Sequence, residues 1–335
     1  MKQSYLIVIV LMFFACKQET PTKQVLQGDA FGTTYTVQYV GDDPATIEKG
    51  IDSVIHAINR SMSTYMPNSD ISKINKGNVD LVVDADFKAV FKLSEEVYKR
   101  SGGYFDPTVG VLRNAYGFGD EKPLQKIDST TLDSLLQYVG FNKVRLTSEG
   151  TIEKSYPEIY FDFNAVAKGY GIDRIGAFLT AQGISDYLIE LGGEILAKGV
   201  NPAKGQPWVV GIETVDSKLD DRTYQITIPL QDKAMASSGN YRKFRVDSIS
   251  GKKYVHTINP LTGSAEQSDV TSATVVAETC AEADAYATAF MSLGLERSRA
   301  LLETTPQLDV YLTYSDTLDT PQVFMTEGFR KLLNE

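Results

Sequence analysis

The amino-acid sequence predicts an α+β fold, with antiparallel or mixed sheets and segregated helices in one elaborate domain. Two observations carry this. Short runs alternating apolar and polar residues, separated by turn signals, crowd the second half of the 335-residue chain. The amphipathic helix patterns stand apart from them and do not alternate strand by strand, as a regular βαβ chain would require.

Taken in order, the first element is a targeting segment. Lys2 precedes an unbroken apolar run, Tyr5 to Ala15. It matches a signal-peptide core of roughly 7–15 residues and falls short of the about 20 that cross a membrane. Cys16 follows the small Ala15 directly, which resembles a lipoprotein processing site, although Phe13 and Phe14 stand where Leu and a small residue are commoner. Residues 1–15 are therefore expected to be a signal peptide and 16–27 a lipidated Cys16 with a flexible tether, polar over 17–24. The functional domain is expected over 28–335, anchored by lipid on the extracytoplasmic (periplasmic) face of the cell membrane.

Within that domain, 31–40 alternates as a strand. Pro44 opens a helix to about Arg60, with Ile47, Ile51, Val54, Ile55 and Ile58 on one face. A second helix runs from about Asp86 to Arg100 and stops at Gly102-Gly103. Arg113 to Thr130 has turn residues and little period, so a long surface loop is expected. Glu158 to Phe163 is predicted as a short strand leading into a helix, Ala165 to Ala181. Tyr187–Leu191 and Glu194–Lys198 form a hairpin about Gly192-Gly193. Trp208 to Val215 and Thr223 to Leu230 alternate as strands. Asp269 to Glu278 is a strand feeding an alanine-rich helix, Ala281 to Leu293, and Asp309 to Ser315 is a last strand before a C-terminal tail.

The formal charge is −10. A chain this acidic gains nothing from phosphate backbones, which excludes nucleic acid as a partner. An anionic ligand must then be held by local donors or by a metal. With Cys16 acylated, Cys280 is left alone and no disulfide is expected.

Four segments can carry chemistry. In EADAYATAF, Asp284 and Thr288 are four apart and share a helix face. A carboxylate and a hydroxyl beside small alanines suit a hard cation such as Mg²⁺, which shares its remaining ligands with substrate phosphates. The same spacing also fits an Asp in a helix's first turn with a solvated Thr, and leaves both readings open. In FDFNAVAKGYGIDRIG, a strand runs into a glycine-bearing helix start, a natural phosphate seat, with Lys168 adding charge. Gly169-x-Gly171 lacks the third glycine of a dinucleotide fingerprint, since 174 is Arg174, and no GxxxxGK[ST] occurs. In HTINPLTG, His256 lies between a strand and a turn; the other histidine, His56, flanks an apolar helical stripe and reads as structural. GGYFDPTVG and MSTYMPNSD place aromatics in loops, where they stack on a flat ring or pin the loop.

Together these segments form an ordered series. FGT, MSTYMPNSDISKIN, GGYFDPTVG, FDFNAVAKGYGIDR, LIELGGEI, SSGNYR, HTINPLTG and ADAYATA resemble the motifs of the FAD:protein FMN transferases (ApbE-like flavin transferases, once called thiamine-biosynthesis lipoproteins) from about Gly28 to Leu293. The resemblance implies a single domain with a ligand cleft that takes FAD as substrate with Mg²⁺ on its pyrophosphate. It implies metal binding by Asp284, Thr288 and the backbone carbonyl of Ala165. The positions matching FAD contacts are Phe31, Tyr65, Tyr104, Phe105, Asp106, Asp162, Lys168 and Ile258, and the catalytic positions are His256 and Asp284. Phe31 replaces a common Met, and Asn259-Pro260 replaces Asp-Pro. The implied reaction moves FMN from FAD onto a Thr or Ser hydroxyl of a membrane redox subunit and releases AMP. Competing readings are an FAD pyrophosphatase, with water as acceptor, and a non-catalytic flavin-binding lipoprotein. A nicotinamide-dependent oxidoreductase fails on the glycine spacing.

Overall fold

The computed structural model describes residues 22–213, 223–240, 244–246, 251 and 253–333; Cys16 and the apolar run before it lie outside them. The chain enters as β1 (Lys23–Ala30), paired antiparallel along its whole length with β2 (Thr33–Val40). Lys23 to Gln27, expected as tether, are thus sheet. Among the inward positions of β1 only Leu26 is a large apolar side chain, so the alternation is too faint to read as a strand.

Helix α1 (Pro44–Met62) starts with Asp43 accepting from the Thr46 N–H at 3.1 Å and buries Ile47, Ile51, Ile55 and Ile58 at the expected spacing. α2 (Asp70–Asn75) and α3 (Ala85–Arg100) follow, α3 capped by Asp84. The stretch expected as a loop from Arg113 is flanked by structure: α4 (Gly110–Tyr116) overlaps its start and α5 (Ser129–Leu136) its end. α4 spans under two turns and has no side-chain cap, so it shows no period. A small hairpin, β3 (Val144–Leu146) with β4 (Ile152–Lys154), comes next.

The strand expected at 158–163 does not form, apart from one parallel bridge between Val109 and Tyr160. Side chains hold this backbone instead. Asn75 bonds both the N–H and the carbonyl of Phe161, at 2.8 and 2.9 Å. α6 (Ala167–Ala181) then leads to β5 (Tyr187–Leu191) and β6 (Glu194–Lys198), the expected hairpin. β7 (Trp208–Glu213), β8 (Tyr224–Leu230), β9 (Lys233–Gly239), β10 (Phe244–Val246), β11 (Lys253–Val255) and β12 (Val270–Ala277) precede the long helix α7 (Cys280–Thr304). α7 continues past the expected end at Leu293 through a break at Gly294 (φ +74°), where Asp269 accepts from the Leu295 N–H. β13 (Asp309–Ser315) is as expected, while the expected tail holds β14 (Pro321–Met325) and α8 (Glu327–Leu332).

Eight strands form one sheet in the order β1-β2-β5-β6-β9-β12-β13-β14, every pairing antiparallel. Helices α1, α6 and α7 pack on one face, and α3 packs on α7. The other face meets the β7–β8 ribbon and α8, through Trp208, Val210, Ile212, Met235 and Phe329. The alanines of α7 at 281, 283, 285, 287 and 289 are all buried, which lets the helix lie between the sheet and two helices.

Candidate active site

The site is built where α6 meets the start of α7. A Cβ at Gly169 would stand 2.3 Å from the Cys280 carbonyl oxygen, so the two backbones approach as only glycine permits. Asp173, one turn along α6, accepts from the Cys280 and Ala281 N–H groups at 2.8 and 2.9 Å and so caps α7. This clamp aims the next turn of α7, carrying Asp284, at the beginning of α6. Asp284 Oδ2 accepts the Gly169 N–H at 3.1 Å. In a regular helix that N–H would go to the Ala165 carbonyl, four residues back. Here Ala165 lies just before α6, and among the described residues its carbonyl accepts no backbone hydrogen bond. Thr288 follows one turn after Asp284, half-buried, with its hydroxyl 3.5 Å from Ser238 Oγ on β9.

These donors fit a hard cation. They offer a carboxylate steadied through one oxygen, a hydroxyl one turn on, and a carbonyl released from the helical ladder. Among the described residues no cluster of three His, Cys, Asp or Glu side chains forms a softer metal cage.

Charge is concentrated below this point. Lys168 Nζ pairs with Glu194 Oε1, and Glu194 is 3 % exposed. Burial pushes the Asp284 carboxyl above its ordinary range, and the nearby Lys168 ammonium pulls it back. Glu194 is raised for the same reason, again against Lys168. Burial also takes Asp173 up to about 6, opposed by the two N–H groups it caps. The Cys280 thiol is driven well up by burial, which leaves it inert.

The other expected residues lie on loops. Phe31, at φ 50° in the β1–β2 turn, lays its ring against α6: a Cβ at Gly171 would meet it at 2.5 Å. Tyr65 is 61 % exposed, on a loop braced by Ser69 Oγ to the Ser63 carbonyl at 2.7 Å. Tyr104 packs half-buried on the main core, with the Arg297 guanidinium 5.2 Å from its ring centroid. His256 sits between β11 and the Asn259 turn. Its neighbour Thr257 donates to the buried Asn240, two residues beyond Ser238, so His256 is tied to the strand end that meets Thr288. Asn259 Oδ1 accepts from the Leu261 and Thr262 N–H groups at 3.0 and 3.3 Å. Its task is the turn, which Asn performs as well as Asp.

Four expected contacts have side chains engaged inside the protein. Phe105 and Ile258 are core residues, 2 % and 5 % exposed. Asp106 accepts from Thr108 and the Phe141 N–H, and burial raises it to about 6. Asp162 accepts from the Asn164 N–H at 2.8 Å and pairs with Arg113, while its own N–H donates to the Pro107 carbonyl. Internal packing and hydrogen bonds thus hold these four residues in place. Arg113, Asp173, Glu194 and Asn240 were not singled out from sequence. Glu194 had a signal, an acidic residue at an inward position directly after Gly192-Gly193. A separate cavity of about 320 Å³ lies across the sheet, between β7–β8 and Gln38, Glu190, Ser237 and Thr274; no expected site residue lines it.

A family model described as the ApbE family matches residues 31–312. The FAD:protein FMN transferase of Haemophilus influenzae is 34 % identical, over 97 % of this chain and 96 % of its own. Flavin transferase ApbE from Vibrio cholerae superposes with a TM-score of 0.82 at 32 % identity, covering 93 % of this chain and all of that one. The ApbE protein of Thermotoga maritima gives 0.81 at 25 % identity over 94 % of this chain and 100 % of its own. The matched span runs from Phe31 in the first turn, past the Gly169–Asp284 bond, to β13. The chain belongs to the ApbE family.

Proposed function

We propose that this protein is a flavin transferase that moves FMN from FAD to a Thr or Ser hydroxyl of an acceptor protein, releasing AMP. The observation that carries the reading is the Gly169–Asp284 bond, with the Ala165 carbonyl accepting no backbone hydrogen bond among the described residues and Thr288 one turn beyond Asp284. Relatives matching nearly the whole chain bear the name FAD:protein FMN transferase. In this reading Asp284, Thr288 and the Ala165 carbonyl would hold Mg²⁺. The ion neutralises charge on the pyrophosphate when bound.

The chain's own residues do the rest. Lys168 meets the phosphates, while Phe31, Tyr65 and Tyr104 offer ring faces to the flat ends of FAD. The backbones of Phe105, Asp106, Asp162 and Ile258 line the walls. The acceptor oxygen attacks the FMN-side phosphorus and its bond to the bridging oxygen breaks. AMP departs with that electron pair. The hydroxyl proton goes to a base. Of the two candidates, Asp284 is committed to Gly169 and the metal, so His256 takes the proton.

The membrane part of the reading rests on sequence: a lipid on Cys16 tethers the domain beside subunits of membrane redox complexes and raises their encounter rate. A Cys16→Ser variant should leave the membrane fraction. The decisive experiment is mass spectrometry of a membrane redox subunit incubated with this protein, FAD and Mg²⁺. The expected result is a gain of one FMN mass, as a phosphoester to Thr or Ser, with AMP release that depends on the acceptor. AMP formed equally fast without acceptor, and no covalent flavin, would make the protein an FAD pyrophosphatase.

A further inference from the structure

Glu194 opens β6 directly after the Gly192-Gly193 turn, and its carboxylate reaches the first turn of α6. Its position is unusual. The side chain is 4 % exposed, Oε1 pairs with the Lys168 ammonium, and Oε2 is buried with no hydrogen-bond partner among the described residues. The Lys168 side chain is 30 % exposed, and its ammonium lies against the buried carboxylate at the first turn of α6. Burying a carboxylate is costly, and a hydrophobic residue of similar size would remove that cost. Mere stability does not account for it.

What the carboxylate does achieve is geometric. A lysine has a flexible four-carbon stem, and immobilising it costs rotamer freedom. Glu194 imposes that order before any ligand arrives. Gly169, the next residue after Lys168, is pinned to Asp284, so the stem is also fixed at its root.

We infer that Glu194 is a positioning residue for the pyrophosphate of the flavin nucleotide, holding Lys168 Nζ where the phosphates arrive without touching them itself. The inference rests on FAD being the substrate. Pre-set donors bind more tightly than mobile ones because the ordering cost falls before binding. Glu194 also neutralises part of the ammonium's charge, so its benefit is orientation, and a shorter acid in its place should fail.

The test is a double-mutant cycle on the full chain with Mg²⁺ present, reading FAD affinity by quenching of flavin fluorescence and folding by circular dichroism. Glu194→Gln should weaken FAD binding about tenfold, the scale of one charge-assisted contact. With Lys168→Met already made, the same change should add almost nothing. Glu194→Asp keeps the charge but draws it back by one methylene, and should weaken binding too; it carries the test if the amide variant does not fold. Equal losses from Glu194→Gln in both Lys168 backgrounds would mean a structural role and overturn the inference. So would unchanged affinity in Glu194→Gln or Glu194→Asp while wild type binds FAD. A wild-type protein that binds no FAD sinks the proposed function, and the inference with it.

Discussion

Gly169 and Asp284, 115 residues apart, are joined by one hydrogen bond of 3.1 Å from backbone to carboxylate. The bond replaces a helical one, so α6 begins only after the Ala165 carbonyl has been set free. It exists because no side chain separates α6 from the Cys280 carbonyl.

A methyl group at Gly169 should therefore undo the site. Gly169→Ala places a carbon 2.3 Å from a backbone oxygen that the Asp173 cap holds still. Neither backbone can yield cheaply. The expected cost is about 1–3 kcal/mol of stability, the usual range for overpacking, together with loss of metal-dependent FAD turnover. An alanine variant that melts like wild type and turns over normally would show that the contact is soft.

Asp284→Asn separates stability from function. The amide oxygen keeps the Gly169 bond, while a buried charge disfavoured by its surroundings disappears. Melting should be unchanged or higher, since functional sites are held at a cost in stability. FMN transfer should fall by at least about 10²-fold, the scale for removing one preorganised electrostatic group. Full transfer in this variant, or in excess chelator, would remove Asp284 from the metal site.

Much of this was legible in the sequence, and the rest fails for physical reasons. Asp284 and Thr288 share a face at i, i+4, and the α1 stripe fixed its buried side; both are local periodicities. Lys168 was legible as a charge at a helix start. Its partner Glu194 was not, because strand pairing and helix packing together decide which charge lies beneath it. Arg113 fell in a stretch that reads as loop, yet it pairs with the buried Asp162, 49 residues on. Asp106 and Asp162 match ligand-contact positions in the motifs, but the hydrogen bonds they accept from Thr108, Phe141, Asn164 and Arg113 could not be read there. Side-chain partners across such separations leave no period to detect.

Stability should rise on mild acidification. Burial lifts Asp106 and Asp173 from the ordinary 3.8 to about 6 in the folded protein. The folded state then binds more protons than the unfolded one between about pH 4 and 6, so stability falls as pH rises through that window. Exposed carboxylates set the lower limit. Asp128, held to about 2 by the Thr131 N–H, contributes stability that is present above its ordinary value and is lost as pH falls toward 2. The melting temperature should thus be higher near pH 5 than at pH 8. A melting temperature that climbs steadily from pH 5 to 8 would mean these two buried acids are better solvated than their surroundings imply.

His256 should govern rate and leave affinity alone. The chain is held on both sides of it, by the Val255 N–H donating to the Ala265 carbonyl at 2.7 Å and by the Thr257 hydroxyl donating to Asn240 Oδ1 at 3.0 Å. The imidazole is half-buried, and its neighbour Thr257 reaches Asn240, just beyond the strand β9 that meets Thr288 through Ser238. A base at this position acts on the incoming hydroxyl, a group absent until the acceptor binds. His256→Ala should therefore slow acceptor-dependent AMP release by roughly 10²–10⁴-fold, the usual contribution of a general base, while FAD titrations stay near wild type. Because only the proton transfer is missing, added imidazole should restore part of the rate. If FAD affinity collapses instead and the rate at saturating FAD holds, His256 serves binding, and the proton leaves by another route.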